Sequence, residues 1–315
     1  MQEKRFFKLP PVLTTFFLTF FLFIIPFIVP GTPAFSQAAN REAAPFSTAL
    51  TTLPPEELVT EDRAVLATWN IRIFSDNSRD EDELLQICMI LSRFDFIAIQ
   101  ELRDTAVLDR ALVHLEQTFG RTYEYVVGPE VGRGVKERYG FLFDIERVEY
   151  TGKSFKIRDP DDLFIREPFL ASFRTGEFDF YAINMHSIYG DSVSGRRAEA
   201  LLLDDIFRTV QALDDEQDIL LFGDFNLSPE DKGFDELWDV EGMRAVNRTM
   251  PTTIYGSIYD TIWYQEQYLS EASGYFGIYP FDEAIFDNDD KLASLVVSDH
   301  RPLWILVDIS GPDDD

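Results

Sequence analysis

The 315-residue sequence predicts an α/β (α+β) fold in which two packed sheets are flanked by helices. Three observations carry this expectation. Strand-length apolar runs recur from residue 64 to residue 309, broken by only a few long amphipathic segments, in an order neither strictly alternating nor segregated. With an N-terminal export pattern set aside, about 280 residues remain, enough for one large domain with a sizeable core. Polar residues fall again and again at the ends of the apolar runs, as they would if strand ends converged on one face. No internal repeat is present.

The elements follow in order. Lys4, Arg5 and Lys8 precede a nearly unbroken apolar run, Val12 to Val29, and Ala34-Phe35-Ser36 places small residues at the −3 and −1 positions of a cleavage site. Residues 1–36 therefore read as a signal peptide cleaved ahead of Gln37, with a retained N-terminal anchor as the alternative. In both cases the rest of the chain is exported, periplasmic or extracellular, and membrane contact is expected only if the segment stays uncleaved. Residues 37–62, rich in Ala, Thr, Pro and Glu without a period, read as a flexible linker. A single domain is expected over 63–310, followed by an acidic tail at 311–315. Within it, strands are expected at Ala64–Ile71, Asp95–Gln100, Tyr123–Val127, Tyr139–Phe143, Val148–Ile157, Phe169–Phe173, Phe178–Met185, Ile219–Phe222, Tyr259–Tyr264 and Leu303–Ile309. Helices are expected at Asp80–Ser92, Thr105–Phe119 and Gly195–Leu213.

The formal net charge is −28. Residues 1–36 hold three basic residues and one acidic residue, so the remainder carries −30. Such a surface excludes binding through a general basic patch, but not a phosphate substrate bridged by a cation. Cys88 is the lone cysteine, so no intramolecular disulfide can form. Leu84, Ile87, Cys88 and Leu91 share helical spacing, which makes Cys88 a core residue.

Asn70, Glu101, His186, Asp224, Asn226, Asp260, Asp299 and His300 each lie at or beside the end of an apolar strand. In the run Leu220-Leu-Phe-Gly-Asp-Phe-Asn226, Gly223 allows a turn or a close approach to a ligand. An extended chain would turn Asp224 and Asn226 to one side, where they could hold a hard cation and a phosphate oxygen. The competing reading is a strand that ends in an Asx turn. Glu101, Asn70 and Asp299 offer an oxygen-only shell, which selects Mg²⁺, Mn²⁺ or Ca²⁺ over zinc. His186 and His300 can act as acid and base if carboxylates orient them, and Glu137 and Asp260 are available for that. His114, inside a helix, reads as structural. No nucleophile elbow or Walker loop is visible.

The pieces Thr68-Trp-Asn70-Ile-Arg72, Gln100-Glu101-Leu-Arg103-Asp104, Lys136-Glu137-Arg138-Tyr139, Arg166-Glu167-Pro168-Phe169, Met185-His186-Ser187, Gly223-Asp224-Phe-Asn226, Tyr259-Asp260-Thr-Ile262 and Ser298-Asp299-His300 occur in one order. That order resembles the endonuclease/exonuclease/phosphatase superfamily, and within it the deoxyribonuclease I group, over residues 64–309. The resemblance implies a four-layer α/β/β/α sandwich with the site at one edge of the paired mixed sheets. It implies hydrolysis of DNA phosphodiesters dependent on a divalent cation, Mg²⁺ or Mn²⁺, with Ca²⁺ as a further candidate. Glu101 would bind the cation, with Asn70, Asp224 and Asn226 around metal and phosphate and Asp299 at the metal or behind His300. His300 would pair with Asp260 and His186 with Glu137, while Arg72, Arg103 and Arg166 would touch DNA. The sequence departs from the group at Val135, where a minor-groove tyrosine is expected. It also lacks the disulfides, with Pro229 and Ser257 where one would be, and has no Asp in Thr249–Ile254 for the calcium segment. Two other readings remain: a lipid or small-molecule phosphodiesterase of the sphingomyelinase kind, and a non-catalytic binding module. No stable protein partner is implied, and a monomer is expected.

Overall fold

The computed structural model describes residues 45–190 and 192–313. The expected signal peptide over 1–36, residues 37–44 of the expected linker and the last two residues of the expected acidic tail lie outside them. Strands β2 (Arg63–Phe74), β3 (Phe96–Leu102), β4 (Tyr123–Val127), β5 (Arg138–Asp144), β12 (Ala272–Ile278), β13 (Leu303–Asp308) and β1 (Thr48–Leu50) form a seven-stranded sheet in the order β1-β12-β13-β2-β3-β5-β4. Strands β6 (Glu149–Lys156), β7 (Phe169–Thr175), β8 (Phe178–His186), β9 (Ile219–Asp224), β10 (Met243–Ala245) and β11 (Asp260–Gln265) form a six-stranded sheet in the order β10-β11-β9-β8-β7-β6. Both sheets are mixed: β2/β3 and β8/β9 are parallel, and each parallel pair needs a helical crossover.

Those crossovers and their neighbours supply the outer layers. Helices α1 (Glu81–Leu91) and α2 (Ala106–Phe119) bury Leu84, Ile87, Val107 and Leu108 against the outer face of the first sheet. Helices α3 (Val193–Ala200), α4 (Leu203–Gln211) and α5 (Asp235–Trp238) bury Leu203, Ile206, Leu237 and Trp238 against the second. The short helices α6 (Phe281–Ala284) and α7 (Asp290–Val296) complete the first outer layer through Phe281 and Ala293. The result is the four-layer α/β/β/α sandwich. Among the described residues no helix is long and apolar enough to cross a membrane.

Strand alternation decides what faces what. Ala64 and Leu66 of β2, Phe96 and Ala98 of β3, Phe180 and Ala182 of β8, and Leu220 and Phe222 of β9 all enter the layer between the sheets. Their odd- or even-numbered neighbours, such as Val65, Ile97, Ile183 and Leu221, turn to the helices. The inter-sheet layer is aromatic: the Phe96 ring meets Phe141, Phe173, Phe180 and Phe222 at centroid distances of 4.8–5.5 Å. A fully buried polar tie crosses that layer behind the site. Gln100 Nε2 donates to Asn184 Oδ1 at 2.7 Å and to Thr68 Oγ1 at 3.1 Å, and Asn184 Nδ2 donates to the carbonyls of Ile99 and Gly140. All three side chains are fully buried, so the tie fixes one sheet's position on the other.

Two expectations are corrected. Residues 45–62 are not a flexible linker: Phe46 is buried edge-on against Tyr264, and β1 pairs in parallel with β12. A single aromatic anchor and a three-residue edge strand leave no periodicity to read. The single helix expected over 195–213 is two, broken at Leu201–Leu202. The break lets Ala200 on one side and Leu203, Ile206, Phe207 and Val210 on the other all face the sheet. Strand β12 is not among the expected strands; it packs so tightly that the Trp304 ring leaves no room for a side chain at Gly277.

Cys88 is buried in the outer layer, and burial pushes its thiol up to about 12, so it is inert at neutral pH. Gly223 serves a close approach to backbone, not to a ligand: a Cβ there would lie 2.2 Å from the Met185 carbonyl oxygen on the paired strand β8. Gly223→Ala should therefore lower stability by about 2 kcal/mol or more, as overpacking does. Urea unfolding checks this; an unchanged midpoint would contradict the packing argument.

Candidate active site

The site is the polar end of the inter-sheet layer. Asn70 has the inward parity of Leu66, His186 that of Ala182, Asp224 that of Leu220, Asp260 that of Ile262, and Glu137 that of Tyr139. The same period that buries phenylalanine in the middle of the sandwich presents carboxylate, amide and imidazole at its edge. These five side chains and His300 are buried, so their partners decide their charge states.

Asp224 is the hub. Its Oδ2 accepts from Asn70 Nδ2 at 3.0 Å and faces His186 Nε2 at 3.5 Å and His300 Nε2 at 3.6 Å. Its Oδ1 accepts the Asn226 backbone N–H at 3.0 Å, which closes an Asx turn. The turn and the site, alternatives in the sequence, are one structure: Asn226 adopts φ 52°, leaves the strand, and donates from Nδ2 to the Ser187 carbonyl at 2.9 Å.

Each histidine is backed by its own carboxylate. His186 Nδ1 lies 2.7 Å from Glu137 Oε1, and His300 Nδ1 lies 2.9 Å from Asp260 Oδ2. A carboxylate accepts, so each Nδ1 carries the proton and each Nε2 points toward Asp224. Burial opposes the imidazolium in both rings, but Glu137 and Asp224 outweigh it at His186 and raise its pKa. At His300 burial is likewise outweighed by Asp260 and Asp224, and the pKa rises. Backbone contacts hold the rings: the His186 N–H donates to the Tyr139 hydroxyl at 3.0 Å, and Trp69 Nε1 donates to the His300 carbonyl at 2.7 Å. His114 instead pairs with Glu81 at 2.8 Å on the helical layer.

Glu137 gathers two of the arginines. Its fully buried carboxylate, besides bonding His186, forms ion pairs with Arg166 at 3.0 Å and Arg103 at 3.7 Å. Arg103 also binds Glu101 Oε2 at 2.9 Å and donates to the Lys136 carbonyl at 2.8 Å. Both guanidiniums are turned onto the carboxylates, because a buried Glu needs cations beside it. Arg72 is bound to the Ser294 carbonyl at 3.0 Å and faces Asp299 at 3.9 Å. The Asp299 carboxylate thus meets Arg72, and it is a third exposed.

Glu101 is placed by distortion. Leu102 joins Ile97 and Ile99 on the helix side, and Phe74 joins Trp69 and Ile71, so the alternation is broken by a register shift in each strand. Glu101 takes φ 59° and Ile73 takes φ 49°, which for a β-branched residue is strained by about 1–3 kcal/mol. The distortion lets Ile73 N–H donate to Glu101 Oε2 at 3.0 Å. Burial disfavours the Glu101 carboxylate, but His186, the Ile73 N–H, Arg103 and Asn70 outweigh it and hold the pKa at about 2. Asn70 Nδ2 links Glu101 at 3.4 Å with Asp224 at 3.0 Å, while its own Oδ1 is buried without a hydrogen-bond partner. Two carboxylates and an orphaned amide oxygen fit a hard divalent cation. Asp224, Asp260 and His300 also place ligand atoms within 4.8 Å of one another. There the His300–Asp260 hydrogen bond already accounts for the closeness, so Glu101, Asn70 and Asp224 make the better cradle.

Sequence reasoning missed Ser298, whose Oγ donates to the Asn70 carbonyl at 2.6 Å and accepts the His300 N–H at 3.1 Å. It missed Gln100, Asn184 and Tyr139 as supports as well. The signal was available for two of them: Gln100 and Asn184 are polar residues at inward positions of apolar strands.

A family model described as the Endonuclease/Exonuclease/phosphatase family matches residues 67–300. The deoxyribonuclease of Thioalkalivibrio sp. (strain K90mix) is 31% identical over 281 residues, which cover 83% of this chain and 75% of that protein. Deoxyribonuclease-1 of Equus caballus is 31% identical over 262 residues, covering 76% of this chain and 90% of that one. The solved structure of the endonuclease/exonuclease/phosphatase protein from Bacteroides vulgatus matches with a TM-score of 0.57 at 17% identity, over 78% of this chain and 98% of that one, and speaks for the fold alone. With the family model spanning most of the chain and relatives above 30% identity over most of their length, the chain belongs to the endonuclease/exonuclease/phosphatase family.

Proposed function

We propose that the protein is an exported endonuclease that hydrolyses DNA phosphodiesters with a divalent cation, Mg²⁺ or Mn²⁺. The observation that carries this reading is the pair of carboxylate-backed histidines whose Nε2 atoms converge on Asp224. The deoxyribonuclease names of relatives at 31% identity support DNA as the substrate. His300, oriented by Asp260, takes the proton of the attacking water, and His186, oriented by Glu137, gives one to the leaving oxygen. Asp224 aims both rings at one place, and Asn226 sits beside it for a phosphate oxygen. Glu101, Asn70 and Asp224 hold the cation, which would polarise the phosphoryl oxygen and lower the proton affinity of the nearby histidines.

A second reading, a lipid or small-molecule phosphodiesterase, is favoured by one observation: Arg103 and Arg166 are committed to Glu137 in a chain of net charge −28. Supercoiled plasmid with Mg²⁺ separates the two when run beside sphingomyelin vesicles. Nicking that EDTA abolishes supports the nuclease; hydrolysis of the vesicles alone supports the alternative. In the same assay Glu101→Ala should lose at least about 10²-fold in turnover with little loss of folding, and near-wild-type nicking would remove Glu101 from the cation site.

The histidines are tested as a set. His186→Ala and His300→Ala should each lower turnover at least about 10²-fold, roughly 2.7 kcal/mol of barrier. The double variant should fall by less than the product, because both act on one transition state. His114→Ala should change turnover little; an effect as large as the others would refute the assignment.

Export rests on the basic start, the apolar run and the small residues before Gln37. Edman sequencing of the protein recovered from its native host should find a mature N-terminus near Gln37. Met1 on soluble cytoplasmic protein would contradict it.

A further inference from the structure

Arg196 and Tyr189 form a preassembled unit that the chemistry above does not use. Tyr189 lies three residues beyond His186 and is 61% exposed, unusual for a large ring beside a buried centre. The Arg196 guanidinium covers one face of the ring, with its carbon 4.5 Å from the centroid. It is held there by donating Nε–H to the Tyr189 carbonyl at 2.6 Å, Nη1 to the Asn226 carbonyl at 3.0 Å and Nη2 to the Gly190 carbonyl at 3.4 Å. Among the described residues no carboxylate pairs with this guanidinium, although the chain has twice as many acidic as basic residues. Three of its five N–H groups are used, which leaves two for an anion. One end of the unit is therefore fastened to Asn226, beside Asp224, and the other carries an open aromatic face.

We propose that Tyr189 and Arg196 form the binding platform for the nucleotide that flanks the scissile phosphate. The base stacks on the outer face of Tyr189, and the remaining N–H groups of Arg196 meet the next phosphate along the strand. The inference rests on the proposed nuclease activity and names the part of the substrate that gives it grip. A ring already backed by a cation loses little freedom when a base arrives, and stacking accepts any base, so the platform binds without reading sequence.

The test uses the whole protein with Mg²⁺ and two short DNA substrates. Each has one cleavable diester among phosphorothioate linkages, which resist cleavage and keep the charge that Arg196 meets; one carries bases on both sides of it and the other is abasic there. Base stacking on an aromatic ring contributes about 5- to 150-fold in binding. On the first substrate Tyr189→Ala should raise KM about tenfold or more with kcat nearly unchanged, and Tyr189→Phe, which keeps the ring, should restore the wild-type KM. On the abasic substrate wild type and Tyr189→Ala should have the same raised KM. An unchanged KM for Tyr189→Ala on the first substrate, or equal losses on both, overturns the platform while leaving the nuclease reading standing. If the wild type cleaves neither substrate, the nuclease reading fails and the platform falls with it.

Discussion

The carboxylate of Asp224 is where the two sheets meet chemically. It is on the last residue of β9 in the second sheet, accepts a hydrogen bond from Asn70 of the first, and lies within 3.6 Å of both histidine Nε2 atoms. An unpaired carboxylate at that depth would be strongly unfavourable, since a buried charge is tolerated only with partners around it. Much of the surrounding architecture supplies those partners. Glu137 and Asp260 keep the two rings facing inward, Arg103 and Arg166 offset Glu137, and Ser298 ties His300 to the Asn70 backbone.

Such a cluster is only as precise as the registration of the sheets. Apolar packing alone lets two aromatic faces slide, because dispersion is non-directional. The buried Gln100–Asn184–Thr68 tie lies one residue behind Glu101 and two behind His186, so it removes that freedom where displacement would matter most. The strained backbones of Ile73, Glu101 and Asn226 concentrate at the same edge, where they re-aim groups that a regular strand would point elsewhere. Gly223 permits the tight β8–β9 pairing that sets Asp224 beside His186.

Much of this was legible in the sequence. Period-two runs that end in Asn70, His186, Asp224 and Asp260 gave both the sandwich and the convergent edge, because one parity rule governs core and site alike. The ordered motifs also paired His186 with Glu137 and His300 with Asp260, which spacing alone cannot do. What stayed hidden depends on local backbone or on long-range compensation. The bulge that turns Glu101 toward the site, the break at Leu201 and the docking of Phe46 leave no periodic trace. The inward turn of Arg103 and Arg166 follows from the burial of Glu137, which a strand-end glutamate does not announce. The Tyr189–Arg196 unit joins a loop residue to the first turns of α3, a contact that no sequence pattern announces.

The central claim is that one buried carboxylate, Asp224, organises both acid–base histidines and the cation cradle. The most direct test is turnover of Asp224→Asn on DNA with saturating Mg²⁺, measured beside its thermal unfolding. The substitution keeps shape and removes the charge. A loss of at least about 10²-fold in kcat with a melting temperature near that of the wild type is the predicted result. Turnover within a few-fold of the wild type would contradict it.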